Sequence, residues 1–484
     1  MGLVGILIGL VGLMWFAYRG WSVLLLAPAA AMIAAAFSGE PILAHWTQTF
    51  MTGAAQFLAQ FFPLFLLGAL FGKLMDDSGS VTAIATFMSE RLGSHRAILA
   101  VVLGGALVTY GGVSLFVAFF VLAPMAQELF RTAGIPTRLM PATIALGTST
   151  FTMSALPGTP ALQNAIPMPF FGTTPFAAPG LSVIAAAIML AFGLWWLGRA
   201  HALAGRAVEG PGLAPCASRS AIAGDQRLRE RASLAQPFDP GEIDHGKPSP
   251  TPPPVALALL PLAVVIGVNF LMAIVVLPRI DAAYLAEARW GATSLSAVGG
   301  VWAVVVALAA GILTLVCLSR RRLPALREST DAGANAAVLP ALSVASLVGF
   351  GAVVAALPDF SVVSEWVLSI GGGPLVSLAA AVNVLAALTG SASGGLTIAL
   401  DALGTTYMRL AAEANIDPAL MHRVAVMSAG TLDSLPHNGA IVTLLAACGH
   451  THRESYFDIV MVCIVGAVIA LIAVIVLGSV FGSF

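Results

Sequence analysis

Eight apolar runs, near positions 2–18, 22–37, 50–72, 180–199, 253–277, 295–318, 336–357 and 456–482, are long enough to cross hydrocarbon about 30 Å thick. Such runs fold as membrane helices, because lipid leaves every backbone N–H and C=O to be satisfied within the segment. Charge is correspondingly scarce: 9% of the 484 residues are charged, against about a quarter in a soluble domain, which excludes a soluble globular protein. The 22 Lys+Arg nearly cancel the 23 Asp+Glu, so there is no basic field to attract nucleic acid. The first run lacks a basic leader and a small-residue cleavage site, and is expected to remain as a span. The four cysteines form no C-x-x-C pair, and Cys317, Cys448 and Cys463 lie in apolar runs, where they are expected as buried small hydrophobes. No cofactor or metal is implied. The sequence predicts an all-α integral membrane protein with about 10–14 membrane segments, most simply multi-pass in a bacterial inner membrane.

Two further stretches, 96–171 and 375–449, are apolar but broken. Between Arg96 and Thr109 lie 12 residues, about 18 Å of helix and too short to cross. The chain is expected to turn back at Thr109-Tyr110-Gly111-Gly112, with 113–131 returning to the same side. In the second half, 375–388 leads into Thr389-Gly390-Ser391-Ala392-Ser393-Gly394-Gly395, and 396–411 leads out. The polar segment 201–252, with Arg206, Arg219, Arg227, Arg229, Arg231 and Lys247 among prolines and glycines, reads as a disordered linker. A second basic cluster, Arg320, Arg321, Arg322 and Arg327, follows two spans later. Placing both clusters in the cytoplasm leaves only Arg279, Arg289, Arg409 and Arg423 of the 22 basic residues outside, with both termini facing outward.

The halves share their order of features. Gly68-Ala69 precedes Asp76 as Gly351-Ala352 precedes Asp359, and Thr109 precedes Leu156-Pro157 at nearly the spacing by which Thr389 precedes Leu435-Pro436. Under the charge assignment one hairpin enters from the cytoplasm and the other from outside. The expected architecture is therefore two inverted repeats, each with a re-entrant hairpin and a broken helix, the plan of secondary transporters. Scaffold spans are expected over 1–49, repeat 1 over 50–200, the cytoplasmic linker over 201–252, scaffold spans and a basic loop over 253–335, and repeat 2 over 336–484.

Transporter sites lie where helices break. Repeat 1 supplies Thr109, Tyr110, Gly111, Gly112 and Ser114 at the tip, and Ser154, Pro157, Gly158, Thr159, Gln163 and Asn164 at the break. Repeat 2 supplies Thr389, Ser391, Ser393 and Gly394, then Asp433, Ser434, Pro436, His437 and Asn438. Half-helix N-termini facing each other can hold a carboxylate without a buried arginine, and hydroxyls and amides can hold the hydroxyls of a small organic anion. Helix packing accounts equally well for any single one of these hydroxyls. Asp433 and His437 form an ionisable pair suited to relaying a coupling proton; the alternative is that Asp433 caps the next half-helix. Lys73, Asp76 and Asp77 read as a snorkelling lysine and a helix-end turn, Asp401 as site-facing or membrane-edge, and His450-Thr451-His452 as a loop.

The stretch Gly68-Ala69-Leu70-Phe71-Gly72-Lys73-Leu74-Met75-Asp76-Asp77-Ser78-Gly79 resembles the G-A-x-x-G-K-L-x-x-D-S-G stretch of the gluconate permease (GntP) family of the ion transporter superfamily. The layout of spans, the polar central loop and the apolar C-terminal helix resemble that family as well. The resemblance implies a carboxylate symporter, usually proton-coupled with sodium as the alternative, that is homodimeric and moves its hairpin site across the bilayer by an elevator motion. The chain departs from the gluconate branch at both breaks. Where that branch carries His-x-Asn-Asp-Ser-Gly, this chain has Asp433-Ser434-Leu435-Pro436-His437-Asn438-Gly439, and Ala155-Leu156-Pro157-Gly158-Thr159-Pro160 lacks the neighbouring histidines. The pattern is nearer to a hydroxybutyrate-type permease, which implies a short hydroxy- or ketomonocarboxylate such as 3-hydroxybutyrate. Gluconate-type and citrate-type carriers are the alternatives within the class. A channel is a third class, though one that needs no pair of broken repeats. A membrane-embedded enzyme would use Asp433 and His437 as acid and base, but the chain has no G-x-S-x-G, H-E-x-x-H or phosphate-loop motif.

Overall fold

A computed structural model describes residues 2–19, 21–93, 96–206, 229, 238–436 and 438–484, and these are helical with no strand among them. Two apolar helices, α1 (Gly2–Tyr18) and α2 (Val23–Phe37), pack on each other. They are followed by α3 (Ile42–Asp77), which carries a π-helical turn at His45–Phe50. Next come α4 (Ser80–Leu92), α5 (Ala97–Tyr110), α6 (Leu115–Ala133), α7 (Met140–Thr148) and α8 (Pro179–Arg206). The middle pair is α9 (Val255–Phe270) and α10 (Leu295–Ser319). The second half holds α11 (Leu326–Ala336), α12 (Val338–Ala356), α13 (Phe360–Leu368), α14 (Gly373–Thr389) and α15 (Ala392–Glu413). It closes with α16 (Pro418–Ala429), α17 (Gly439–Ala447) and α18 (His452–Phe481). Among the described residues, 7 helices are long and apolar enough to cross a membrane, and four shorter apolar helices accompany them.

The hairpins form where backbone chemistry stops a helix. After α5, Gly112 takes φ +97, a left-handed conformation costly to a residue with a Cβ, and Ser114 caps α6 by accepting from Phe116 N at 3.3 Å. After α14, Gly390 takes φ +63, and Ser391 caps α15 by accepting from Gly394 N at 3.1 Å. With 14 residues, α5 is about 21 Å long, short of the hydrocarbon thickness.

The order of α3 through α8 (long helix, short helix, hairpin, interrupted helix, long helix) recurs in α11 through α18. Corresponding helices lie antiparallel. A Cβ on Gly349 would lie 2.9 Å from Phe50, near the start of α3, and one on Gly333 would lie 2.9 Å from the Leu70 backbone near its end. Likewise α8 meets α18 with Gly466 against Phe192 and, further along α8, the Trp196 indole donating to Asp458 at 3.0 Å. Small residues at these crossings let the backbones approach closely. Outside the two series, α2 packs on α12, while α9 and α10 pack on each other, with α10 also against α3.

Three expectations change. The end of the supposed disordered linker is folded: Phe238 and Asp239 are buried, and Asp239 N donates to the Ala336 carbonyl at 2.7 Å. Arg219, Arg227, Arg231 and Cys216 lie outside the described residues. Lys73 does not snorkel; it is 1% exposed and bonded to Asp77 at 2.8 Å, because residues 238–252 cover the end of α3. Cys448 and Cys463 are buried as expected, but Cys317 is exposed on α10.

Candidate functional site

The tip of the first hairpin stands against the flank of α3. Thr109, Gly112, Val113, Ser114 and Leu115 share a cavity of about 50 Å³ with Gly68, Ala69, Thr148, Met153, Pro160 and Phe238, among others. By volume it has room for a few waters. The first turn of α6 lies in its wall, so the positive end of a 19-residue helix dipole meets the cavity. Gly68 and Ala69, from the sequence motif, are part of the same wall. Gly111 lies outside the cavity and admits α9: a Cβ there would sit 2.3 Å from Leu262.

Each tip is tied to its own break. In the first half the Tyr110 hydroxyl donates to the Pro157 carbonyl at 2.8 Å. In the second, Asn438 Nδ2 donates to the Gly390 carbonyl at 2.9 Å while Oδ1 accepts from Ala440 N at 2.7 Å and so caps α17. The two ties span 47 and 48 residues of sequence. The Thr431 hydroxyl also bonds Asn383 Oδ1, joining the second break to α14.

The breaks leave carbonyls without helical partners at membrane depth, and side chains supply the donors. Asn269 donates to the Gly158 carbonyl at 2.9 Å, and Asn164 donates to the Thr159 and Pro175 carbonyls at 3.1 and 3.0 Å. Thr159 and Gln163 are buried beside them. In the second half, Tyr456 donates to the Ser434 carbonyl at 3.1 Å, and a His452 ring nitrogen lies 2.9 Å from the Pro436 carbonyl.

The two breaks meet each other. A Cβ on Gly430 would lie 2.9 Å from Ser154 Cβ. At this junction sits Arg423, fully buried, donating to the Ser154 carbonyl at 3.3 Å and through Nη2 to the Ala177 carbonyl at 3.1 Å. Among the described residues no carboxylate lies within 4.0 Å of it. Beside it His422, also fully buried, lies 2.6 Å from the Thr173 hydroxyl and 3.2 Å from Asn164 Oδ1. Arg423, counted among the outer-side charges in the sequence, is thus a buried arginine between the two breaks. Only folding against 154–177 makes it internal.

Several predicted hydroxyls are engaged locally. Thr109 donates to the Gly105 carbonyl at 2.8 Å, Thr389 to Leu385 at 2.8 Å and Ser154 to Thr150 at 3.2 Å. Each bonds the preceding turn of its own helix, so their protons are committed and their lone pairs remain. Ser391 and Ser393 are buried with their oxygens 3.3 Å apart, next to Gly394. Asp433 is half-buried and accepts from the Ser434 hydroxyl at 3.1 Å; it does not cap α17, which Asn438 does. His437 lies outside the described residues, and Asp401 is exposed on α15.

A family model described as GntP family permease matches residues 1–169. The uncharacterized transporter YxjC of Bacillus subtilis (strain 168) is 41% identical over 483 residues, covering 98% of each chain. Among solved structures, the crystal structure of the YdaH transporter of Alcanivorax borkumensis aligns with a TM-score of 0.46 and 17% identity, over 91% of this chain and 88% of that one. With a relative of that identity along nearly its whole length and a family model over its first third, the chain belongs to the GntP family of permeases.

Proposed function

We propose that the protein is a proton-coupled symporter for a short hydroxy- or ketomonocarboxylate, of the size of 3-hydroxybutyrate, in a bacterial inner membrane. The observation that carries this is the composition of the hairpin cavity: the N-terminal turn of α6 and three hydroxyl-bearing side chains, Thr109, Ser114 and Thr148, set among Leu64, Val113, Leu115, Met153, Leu162 and Leu308. Helix-end N–H groups suit one carboxylate, a few hydroxyls suit one further oxygen, and the apolar remainder suits a short alkyl chain. A sugar acid would bring more hydroxyls than this wall has partners for, which disfavours gluconate. Antiparallel placement of corresponding helices supports inverted repeats and hence alternating access, with α1, α2, α9 and α10 as scaffold and homodimer contacts. The second tip, with Ser391, Ser393, Gly394, Ser434 and Asn438, completes the site when the transport parts move.

Asp433 is the proton carrier in this scheme. Among the described residues no basic nitrogen lies within 4.0 Å of it, and an unpaired carboxylate in a membrane break is suited to taking up and releasing a proton. The test is uptake of labelled short acids, gluconate and citrate into proteoliposomes under an imposed proton or sodium gradient. Proton-driven accumulation of a hydroxymonocarboxylate is expected. Accumulation of gluconate or citrate alone, or sodium dependence without proton dependence, would overturn the substrate or coupling assignment, and chemical conversion of the acid would make the protein an enzyme.

A further inference from the structure

The motif at 68–79 holds more polar chemistry than a helix end requires. Lys73 and Asp77 are both 1% exposed, and Lys73 Nζ also donates to the Ile243 carbonyl at 2.9 Å. Ser249 N donates to the Asp77 carbonyl at 2.7 Å. At the other end of the same segment the Asp239 carboxylate, 1% exposed, takes a two-pronged bond from Arg229, with Nε at 2.8 Å and Nη2 at 2.6 Å, while its backbone N–H holds α11 through Ala336. Residues 238–249 are thus clamped at both ends across α3 and α11. The Lys73–Asp77 pair is buried beneath this segment, and burying an ion pair carries a desolvation cost that good geometry at best offsets, so covering it has a stability cost and calls for a role.

The clamp presents Phe238. Its side chain is fully buried and forms part of the wall of the hairpin cavity, along with Thr109, Ser114 and Gly68. The rest of the segment lies toward the end of α3 marked by Lys73 and Asp77, a turn or more beyond the cavity residues Gly68 and Ala69. Phe238 therefore reaches the cavity from the linker's face of the membrane.

We propose that residues 238–249 are a strap that closes the hairpin cavity on the linker's face, with Phe238 as its plug and, as its fastenings, the bonds from Lys73 to the Ile243 carbonyl, from Ser249 N to the Asp77 carbonyl and from Asp239 N to the Ala336 carbonyl. Solute then passes to that face only when the strap shifts off the tip or the tip moves away from the strap. The proposal rests on the cavity being the solute site, but its test is independent of which solute is carried. A cysteine is placed at Gly68, where a Cβ meets nothing within 4 Å, in a chain whose 4 native cysteines are replaced by alanine. Its reaction with a membrane-impermeant thiol reagent is timed in vesicles of each orientation. With Phe238 present, labelling from the linker's face should be slow. Phe238→Ala should speed it at least about tenfold from that face alone, and Phe238→Leu should fall between. Should the alanine variant fail to fold, Lys73→Met, which releases the Ile243 carbonyl and keeps the plug, should also speed labelling. Unchanged rates in the folded variants, or equal acceleration from both faces, would overturn the strap. Failure of acid uptake with strap-dependent labelling intact would instead overturn the proposed substrate.

Discussion

Arg423 holds together backbone that belongs to neither helix. Its guanidinium spans the Ser154 and Ala177 carbonyls; losing it leaves the Ser154 carbonyl without a donor, at about 1–3 kcal/mol, and the Ala177 carbonyl with only the Ser182 hydroxyl at 3.3 Å. Arg423→Gln should therefore lower stability by about 1–3 kcal/mol, read as a loss of melting temperature in detergent, with Arg423→Lys intermediate because it lacks the forked geometry. Thr109 makes a finer prediction. Its proton already goes to Gly105, so its oxygen can only accept, which means from a hydroxyl of the solute. Thr109→Ala should raise KM about fivefold for a hydroxy acid, roughly 1 kcal/mol, and leave the matching acid without the hydroxyl nearly unaffected; equal effects on both would return Thr109 to packing. Asp433→Asn should abolish uphill uptake while exchange of labelled for unlabelled solute persists, and full accumulation by that variant would remove Asp433 from coupling.

Among the elements, the meeting of the two breaks is the most constrained. Gly430 and Ser154 leave no space for a methyl group, so Gly430→Ala must push apart the ends of α16 and the 151–154 turn. Overpacking of this kind costs about 1–3 kcal/mol, and because both breaks carry proposed site residues, a fall in uptake larger than the fall in folded protein is expected. The same reasoning explains what was legible at this scale. Span positions followed from hydropathy, and the hairpins from helix length plus Gly and Ser at the turns, because those are local properties. The docking of 238–252 was not legible: its prolines, glycines and charges have the composition of a linker, and only burial of Phe238 and Asp239 against α3 and α11 gives it a fold.

For the whole molecule, α3 runs antiparallel to α11 and α12, and α8 to α18. Because α10 is long and apolar enough to cross, the loop at 280–294 and the basic end of this helix should lie on opposite faces. Cysteines at Asp281 and Arg321 should react with an impermeant reagent from opposite sides, the second on the cytoplasmic side; labelling of both from one side would contradict the crossing by α10, and labelling of the second from outside would contradict the sidedness drawn from basic residues.

Hydropathy and turn chemistry were enough to establish a helical membrane protein and the places where its helices break, since each follows from residues near one another in the chain. Which tip meets which break, that Arg423 and His422 become internal, and that Phe238 reaches the hairpin cavity depend on residues as much as 269 positions apart. Such pairings are settled by packing and by the demand that buried carbonyls find donors, and neither leaves a local trace in the sequence.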